Sequence, residues 1–93
     1  MTVGLLQLRL RIPENQSLKG KRQILLGLKT RLRQKFNISL AETDGQDKWQ
    51  AATLAAACVG TDRAGVNRVL DQVADVVERE RGVELVDIQL EFL

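Results

Sequence analysis

The sequence predicts one small α+β domain, in which a four-stranded antiparallel sheet carries two helices on one face. Three observations lead to this fold class. Two segments repeat apolar residues at helical spacing, and four short segments are alternating or apolar runs bounded by turn residues. Their order along the chain is strand, helix, strand, strand, helix, strand. A length of 93 residues is that of one domain, so residues 1–93 are assigned to it.

The first strand and the first helix follow from the N-terminal third of the chain. Apolar and polar side chains alternate from residue 6 to residue 12, which is the period of a half-buried strand, and Pro13 ends it. Ser17 is a suitable helix N-cap. An apolar stripe at helical spacing then predicts a helix near residues 18 to 36. Its members are Leu18, Leu25, Leu28, Leu32 and Phe36.

Residues 38 to 59 are predicted to form a hairpin. Residues 38 to 41 alternate as a short strand, and residues 43 to 47 carry the Asp and Gly typical of a turn. The run from residue 49 to residue 59 is rich in alanine, which favours a helix by propensity alone. Because turn signals bound it and Gly60 ends it, we predict a strand.

A second helix and a last strand complete the pattern. Thr61 or Asp62 caps the helix and Gly82 ends it. The apolar face of this helix contains Val66, Val69, Leu70, Val73 and Val77. In the last strand, apolar residues predicted to face the helices alternate with polar ones. The apolar set is Val86, Ile88, Leu90 and Phe92, and the polar set is Asp87, Gln89 and Glu91.

This order of elements is the split βαβ arrangement of the ferredoxin-like fold. Its expected strand order is 4-1-3-2, so the first and last strands lie side by side and antiparallel. The face of the sheet without helices should then present side chains of opposite charge on these two strands, worth about 0.2–1 kcal/mol per facing pair. These side chains are Gln7, Arg9 and Arg11 on one strand and Asp87, Gln89 and Glu91 on the other.

Composition restricts the compartment and the chemistry. There is no histidine, Cys58 is the only cysteine, and no run of 18 apolar residues or signal-peptide pattern is present. We therefore expect a cytoplasmic protein without a membrane segment. Cys58 lies in an apolar run and is interpreted as a small buried hydrophobic residue.

No motif indicates catalysis or a bound cofactor. Gly20 and Lys21 lack the upstream glycine and the following Ser or Thr of a phosphate-binding loop. Glu42, Asp44 and Asp47 surround a turn without the spacing of a calcium loop, so turn chemistry is favoured over a metal site. We expect neither an enzyme nor a small-molecule substrate.

Charge is distributed unevenly along the chain. From residue 9 to residue 35 there are nine basic residues and one acid, whereas residues 36 to 93 contain five basic residues and eleven acids. The basic segment is suited to a polyanion, and the acidic remainder is equally suited to be its partner within or between chains.

The cations of the first helix are the candidate binding residues. At 100° per residue, Arg22, Lys29 and Arg33 lie within about 40° of one another on one flank of the apolar stripe, and Lys19 extends this flank. Lys21, Arg31 and Lys35 are placed toward the opposite flank. The alternative is a solvated amphipathic helix whose long side chains cover the edge of the core.

The third strand supplies a second candidate surface. Its residues on the helix-free face are expected to include Ala51, Ala55 and Ala57, a flat floor that suits packing against a second copy. Trp49 is interpreted as a core or dimer-interface anchor, with base stacking as the alternative. The absence of an aromatic pair on the central strands argues against a sequence-specific RNA reader.

Three stretches of the chain resemble the YlxP-like family of small bacterial proteins of unknown function. They are Ser17-Leu18-Lys19 with Lys21-Arg22, Phe36-Asn37-Ile38-Ser39 with Ala41-Glu42, and Gln46-Asp47-Lys48-Trp49-Gln50. The resemblance implies a ferredoxin-like fold and an association with the bacterial translation and transcription machinery, without catalytic residues. Gly20 stands where the family usually has Glu, and this loss of a capping-box acid is expected to loosen the first turn.

Two functions remain open from the sequence. One is a binding protein that contacts structured RNA or a ribosomal particle through Lys19, Arg22, Lys29 and Arg33. The other is a homodimeric protein-interaction module that uses the helix-free face and has no nucleic-acid role.

Overall fold

The computed structural model describes residues 1–93 and contains the six predicted elements in the predicted order. The strands are β1 (Thr2–Arg11), β2 (Ser39–Asp44), β3 (Ala51–Gly60) and β4 (Glu84–Phe92), and the helices are α1 (Leu18–Lys35) and α2 (Arg63–Glu78). All neighbouring strands are antiparallel, and the sheet order is β2-β3-β1-β4. This is the predicted order 4-1-3-2 read from the other edge, so the ferredoxin-like topology is confirmed.

The core lies between the sheet and the helices and is almost entirely aliphatic. Every second side chain from Leu6 to Leu10 of β1 and from Ala52 to Cys58 of β3 faces the helices and is buried, as the alternation in β1 predicted. The buried strand residues include Leu6, Leu8, Leu10, Ala52, Leu54, Ala56 and Cys58, and the helices contribute Leu25, Leu28, Leu32, Val66, Leu70, Val73 and Val77. The interpretation of Cys58 as a buried residue is therefore correct.

Both helices begin at the predicted caps. The Ser17 side chain accepts a hydrogen bond from the backbone N–H of Gly20 at 3.0 Å, and Asp62 Oδ1 accepts one from Gly65 at 2.7 Å. These side chains satisfy backbone donors that have no partner within the helix. Beyond α2, Gly82 adopts a φ of 82°, a conformation that side chains with a Cβ rarely adopt.

The prediction that Val86 faces the helices is wrong, because β4 contains a bulge. Arg9 pairs with Asp87 but the next residue of β1, Leu10, pairs with Leu85, so Val86 is an extra residue in the strand. One extra residue reverses the alternation of all residues before it. Leu85 consequently packs against the core, whereas Val86 lines a shallow cleft on the helix-free face.

The predicted charge pairing between β1 and β4 is only partly present. Arg9 lies opposite Asp87 and Gln7 opposite Gln89, as expected. Because of the bulge, Arg11 instead lies opposite Glu84, with 3.9 Å between Nε and the carboxylate. Glu91 lies opposite Leu5.

Candidate nucleic-acid interface

Four cations predicted to form one surface lie along the same side of α1. This outer flank consists of Lys19, Arg22, Lys29 and Arg33. Arg33 Nη2 donates a hydrogen bond to the carbonyl oxygen of Leu40 at 3.0 Å, which places this side of the helix above the edge strand β2. On the opposite side of α1, Arg31 forms an ion pair with Glu80, just beyond α2. The outer flank therefore faces away from the second helix.

No acid neutralises the outer flank. The sequence of α1 contains seven basic residues and no Asp or Glu. The ion pairs of the structure engage Arg11, Lys21 and Arg31, so no flank cation has a carboxylate oxygen within 4.0 Å. Three of the four flank residues are exposed and Lys29 is half-buried. Their charges remain available to an external anion.

Lys21 does not lie on either flank, contrary to the prediction. It precedes Leu25 by four residues, so it belongs to the apolar stripe itself, and its exposed fraction is 0%. Its ammonium donates to the carbonyl oxygens of Gly45 at 2.6 Å and Ala51 at 3.2 Å. It also lies 3.2 Å from Glu42 Oε2. The lysine thus joins the first turns of α1 to the β2–β3 hairpin.

The three acids around the hairpin turn do not assemble into a cluster. The Glu42 carboxylate, whose side chain is 18% exposed, is directed at Lys21. Asp44 Oδ1 accepts a hydrogen bond from the backbone N–H of Gly45 at 2.8 Å, and Asp47 is exposed. Asp44 therefore acts as a turn residue, whereas Glu42 has a role in the core that the sequence analysis missed. A carboxylate beside a turn carries no sequence signal of a buried ion pair.

Trp49 lies outside the sheet. β3 begins at Ala51, two residues later than the predicted start, and 55% of the surface of Trp49 is exposed. The Trp49 carbonyl oxygen accepts a hydrogen bond from Asn15 Nδ2, which also donates to Ser17 O at 2.7 Å. Trp49 is therefore not a core residue, and the loop that holds it is bonded to the segment before α1.

The position of the Asn15 side chain explains why residue 20 is a glycine. A Cβ at position 20 would lie 2.3 Å from Asn15 Oδ1, closer than unbonded atoms approach. Because Asn15 is 9% exposed and hydrogen-bonded through its amide nitrogen, its side chain is not free to move away. The Ser17 cap is still formed in the first turn. Glycine at position 20 therefore makes room for Asn15, where the family usually has an acid.

The three alanines predicted to form an interface do share the helix-free face. Ala55 lies opposite Gln7 on β1 and opposite Ala41 on β2. Ala57 and Ala51 occupy the same face of β3 and are half-buried. Trp49 precedes this strand, so the four residues do not form one continuous strand surface.

Fold and site together define a small α+β sandwich of ferredoxin-like topology with a basic flank on its first helix. The chain belongs to the family described as protein of unknown function (DUF503), whose model matches residues 3–90. It is 36% identical to the uncharacterized protein YlxP of Bacillus subtilis (strain 168) over 62 residues, and this alignment covers 67% of each chain. The resemblance to the YlxP-like family is thereby confirmed. Neither helix is long and apolar enough to cross a membrane.

Two solved structures of similar topology share little sequence with this chain. The designed protein Foldit4 superposes with a TM-score of 0.56 at 7% identity, covering 98% of this chain and 96% of that one. A variant of SnoaB, a cofactor-independent oxygenase from Streptomyces nogalater, gives a TM-score of 0.52 at 12% identity, covering 99% and 90% of the two chains. At these identities the likeness concerns the fold alone.

Proposed function

We propose that this chain is a non-catalytic binding module that contacts structured RNA, free or within a ribosomal particle, through the outer flank of α1. The observation that carries the proposal is the set of four flank cations without an acidic partner. Cations grouped on one face without acidic partners are the electrostatic footprint of a polyanion site.

The dimensions of the flank suit a run of phosphates. At 1.5 Å per residue, Lys19 and Arg33 are separated by about 21 Å along the helix axis. Charges spread over this length reach several phosphates of one strand, and such contacts position a protein without reading sequence. The proposed contact therefore depends on the shape and charge of the RNA.

The non-catalytic part of the proposal rests on the state of the reactive side chains. Lys21, the one buried lysine, is paired with Glu42 and bonded to two carbonyl oxygens, so its ammonium is committed to the fold. The Cys58 thiol is 5% exposed and lies in the aliphatic core. A nucleophile needs access and an activating base, and neither residue has both.

Fluorescence anisotropy of a labelled structured RNA, such as a ribosomal RNA fragment, tests the proposal. The unmodified protein should bind at about 50 mM salt and lose affinity as salt is raised. The variant Lys19→Gln, Arg22→Gln, Lys29→Gln should bind far more weakly. Arg33 is left in place because its hydrogen bond to Leu40 has a structural role.

The matched control removes the same charge from exposed arginines on or after α2. It is the variant Arg68→Gln, Arg79→Gln, Arg81→Gln, which should retain most of the affinity. Equal losses from both variants would indicate a general charge effect instead of a site. Absence of binding by the unmodified protein at low salt would contradict the proposal and favour the second candidate.

The second candidate is a homodimeric module that packs two copies through the helix-free face. The observation in its favour is the charge arrangement of that face. Arg9 lies on β1 beside Asp87 on β4, next to the floor formed by Ala55 and Ala57. A two-fold axis would bring the basic strand of one copy onto the acidic strand of the other, with the small side chains permitting close approach.

A further inference from the structure

The exposed ring of Trp49 is not used by the proposed phosphate contacts. It is the only tryptophan of the chain, and 55% of its surface is exposed. Tryptophan has a large apolar surface that is usually covered in folded proteins. A tryptophan that is exposed in the free protein is common at sites where a binding partner covers it.

The backbone that carries this ring is held on both sides. Asn15 Nδ2 donates to the Trp49 carbonyl oxygen, and Ile12 N–H donates to the next carbonyl, that of Gln50, at 2.9 Å. The Gln50 side chain in turn donates to Asn15 O at 3.0 Å. Lys21 Nζ also donates a hydrogen bond to Ala51 O, at the end of this loop. An exposed aromatic residue on a fixed backbone loses little conformational entropy when a ligand stacks on it.

Two cations of the proposed RNA site lie in the helix turns that follow Ser17, which shares the Asn15 amide with Trp49. The amide of Asn15 contacts both Trp49 and Ser17, so a single side chain separates the tryptophan backbone from the first turn of α1. Lys19 and Arg22 begin the outer flank in that turn and the next, and Lys48 is exposed one residue before Trp49. Aromatic rings among cations are how proteins bind unpaired nucleotides, by stacking the base and pairing the phosphates.

We infer that Trp49 is a stacking platform for an unpaired RNA nucleotide whose flanking phosphates contact Lys19, Arg22 and Lys48. This inference rests on the proposed function and specifies its ligand. Bases inside a duplex are already stacked on one another, so the site should favour single-stranded loops or ends over a continuous helix.

Intrinsic fluorescence gives a direct test, because the chain has one tryptophan and no tyrosine. The protein is titrated with a single-stranded uridine oligomer and with an RNA duplex of equal length, while anisotropy of labelled RNA records binding independently. The single strand should quench Trp49 emission and bind more tightly than the duplex. Trp49→Ala should weaken single-strand binding about 5- to 150-fold, and Trp49→Phe should retain most of it. Circular dichroism verifies that both variants are folded.

The outcomes separate this inference from the proposed function. If single-stranded RNA binds but neither the emission nor the affinity of Trp49→Ala changes, the stacking inference is overturned and the phosphate contacts stand. If no RNA binds, both are overturned. If the emission shifts to shorter wavelength as protein concentration rises without RNA, a second copy covers the ring and the inference is overturned.

Discussion

The ammonium of Lys21 lies 3.2 Å from a carboxylate oxygen of Glu42, in a helix position that is completely buried. The same ammonium is bonded to Gly45 O and Ala51 O. One cation in the core thus connects α1 with both strands of the β2–β3 hairpin. Since the exposed Trp49 lies in that hairpin and the basic flank lies on that helix, the ion pair fixes the two proposed RNA contacts relative to each other.

Removal of Lys21 should destabilise the fold severely. Lys21→Met leaves the Glu42 carboxylate and two carbonyl oxygens without their partner, which is expected to lower the free energy of unfolding by about 3–5 kcal/mol. Urea denaturation followed by circular dichroism measures this as a lower midpoint at constant slope. Lys19→Met, an exposed lysine two residues earlier, should change stability by less than about 0.5 kcal/mol.

The double variant Lys21→Met, Glu42→Leu distinguishes lost charge pairing from lost packing. Because no unpaired charge stays buried, we expect it to be more stable than Lys21→Met alone. A loss below about 1 kcal/mol in Lys21→Met would mean that the lysine reaches solvent in solution.

The orientation of α1 predicts opposite results for two leucines. Leu28 is fully buried, so Leu28→Ala should lower the free energy of unfolding by about 2–5 kcal/mol. Leu26 is 60% exposed on the same helix, and Leu26→Ala should have an effect within about 0.5 kcal/mol. Similar losses at the two positions in urea denaturation would show that the helix presents a different face to the sheet.

A Cβ at position 20 should be tolerated only when Asn15 is shortened. Gly20→Ala creates the contact with Asn15 Oδ1 and should lower the free energy of unfolding by about 1–3 kcal/mol. In the background Asn15→Ala the same change should be much less destabilising, because the nearest remaining atom is Ser17 Oγ at 3.1 Å and alanine is the better helix former. If the effects of Gly20→Ala and Asn15→Ala on the free energy of unfolding were additive in a double-mutant cycle, the contact between the two positions would be ruled out.

Self-association through the helix-free face is expected to depend on Ala55. If the second candidate function holds, sedimentation velocity at micromolar concentration should detect a dimer. Ala55→Arg would place a long charged side chain on the flat floor and should convert this dimer to monomer, whereas Leu26→Arg on α1 should not. A monomer in the unmodified protein would eliminate this candidate.

Much of the fold could be predicted because periodicity records which side chains share a face, although Ile88 and Leu90 of β4 remain 48% and 39% exposed. The alternation in β1 and the stripe of Leu25, Leu28 and Leu32 each indicated the correct inner face. The alanine-rich β3 was predicted by its turn boundaries, against helix propensity. The face of Val86 could not be predicted, because a bulge depends on how two strands pair and leaves no mark in the sequence of one.

The site was harder to predict because its key contacts are tertiary. Lys21 was predicted to lie toward the flank of Arg31 and Lys35, although its helical position belongs to the apolar stripe. The carbonyl oxygens of Gly45 and Ala51, 24 and 30 residues away, and the carboxylate of Glu42 make that burial acceptable. The close approach of Asn15 to Gly20 likewise accompanies a tertiary contact, the hydrogen bond from Asn15 Nδ2 to the Trp49 carbonyl oxygen.

The salt dependence of RNA binding, measured for the unmodified protein and the flank variant together, tests the central claim most directly. If about four phosphates are neutralised, log K should fall with log salt at a slope of roughly −3 to −4. The flank variant Lys19→Gln, Arg22→Gln, Lys29→Gln should reduce the magnitude of this slope by about one for each cation removed. The control variant Arg68→Gln, Arg79→Gln, Arg81→Gln should leave the slope unchanged. An unmodified protein whose binding is insensitive to salt, or a flank variant with the same slope, would contradict the account.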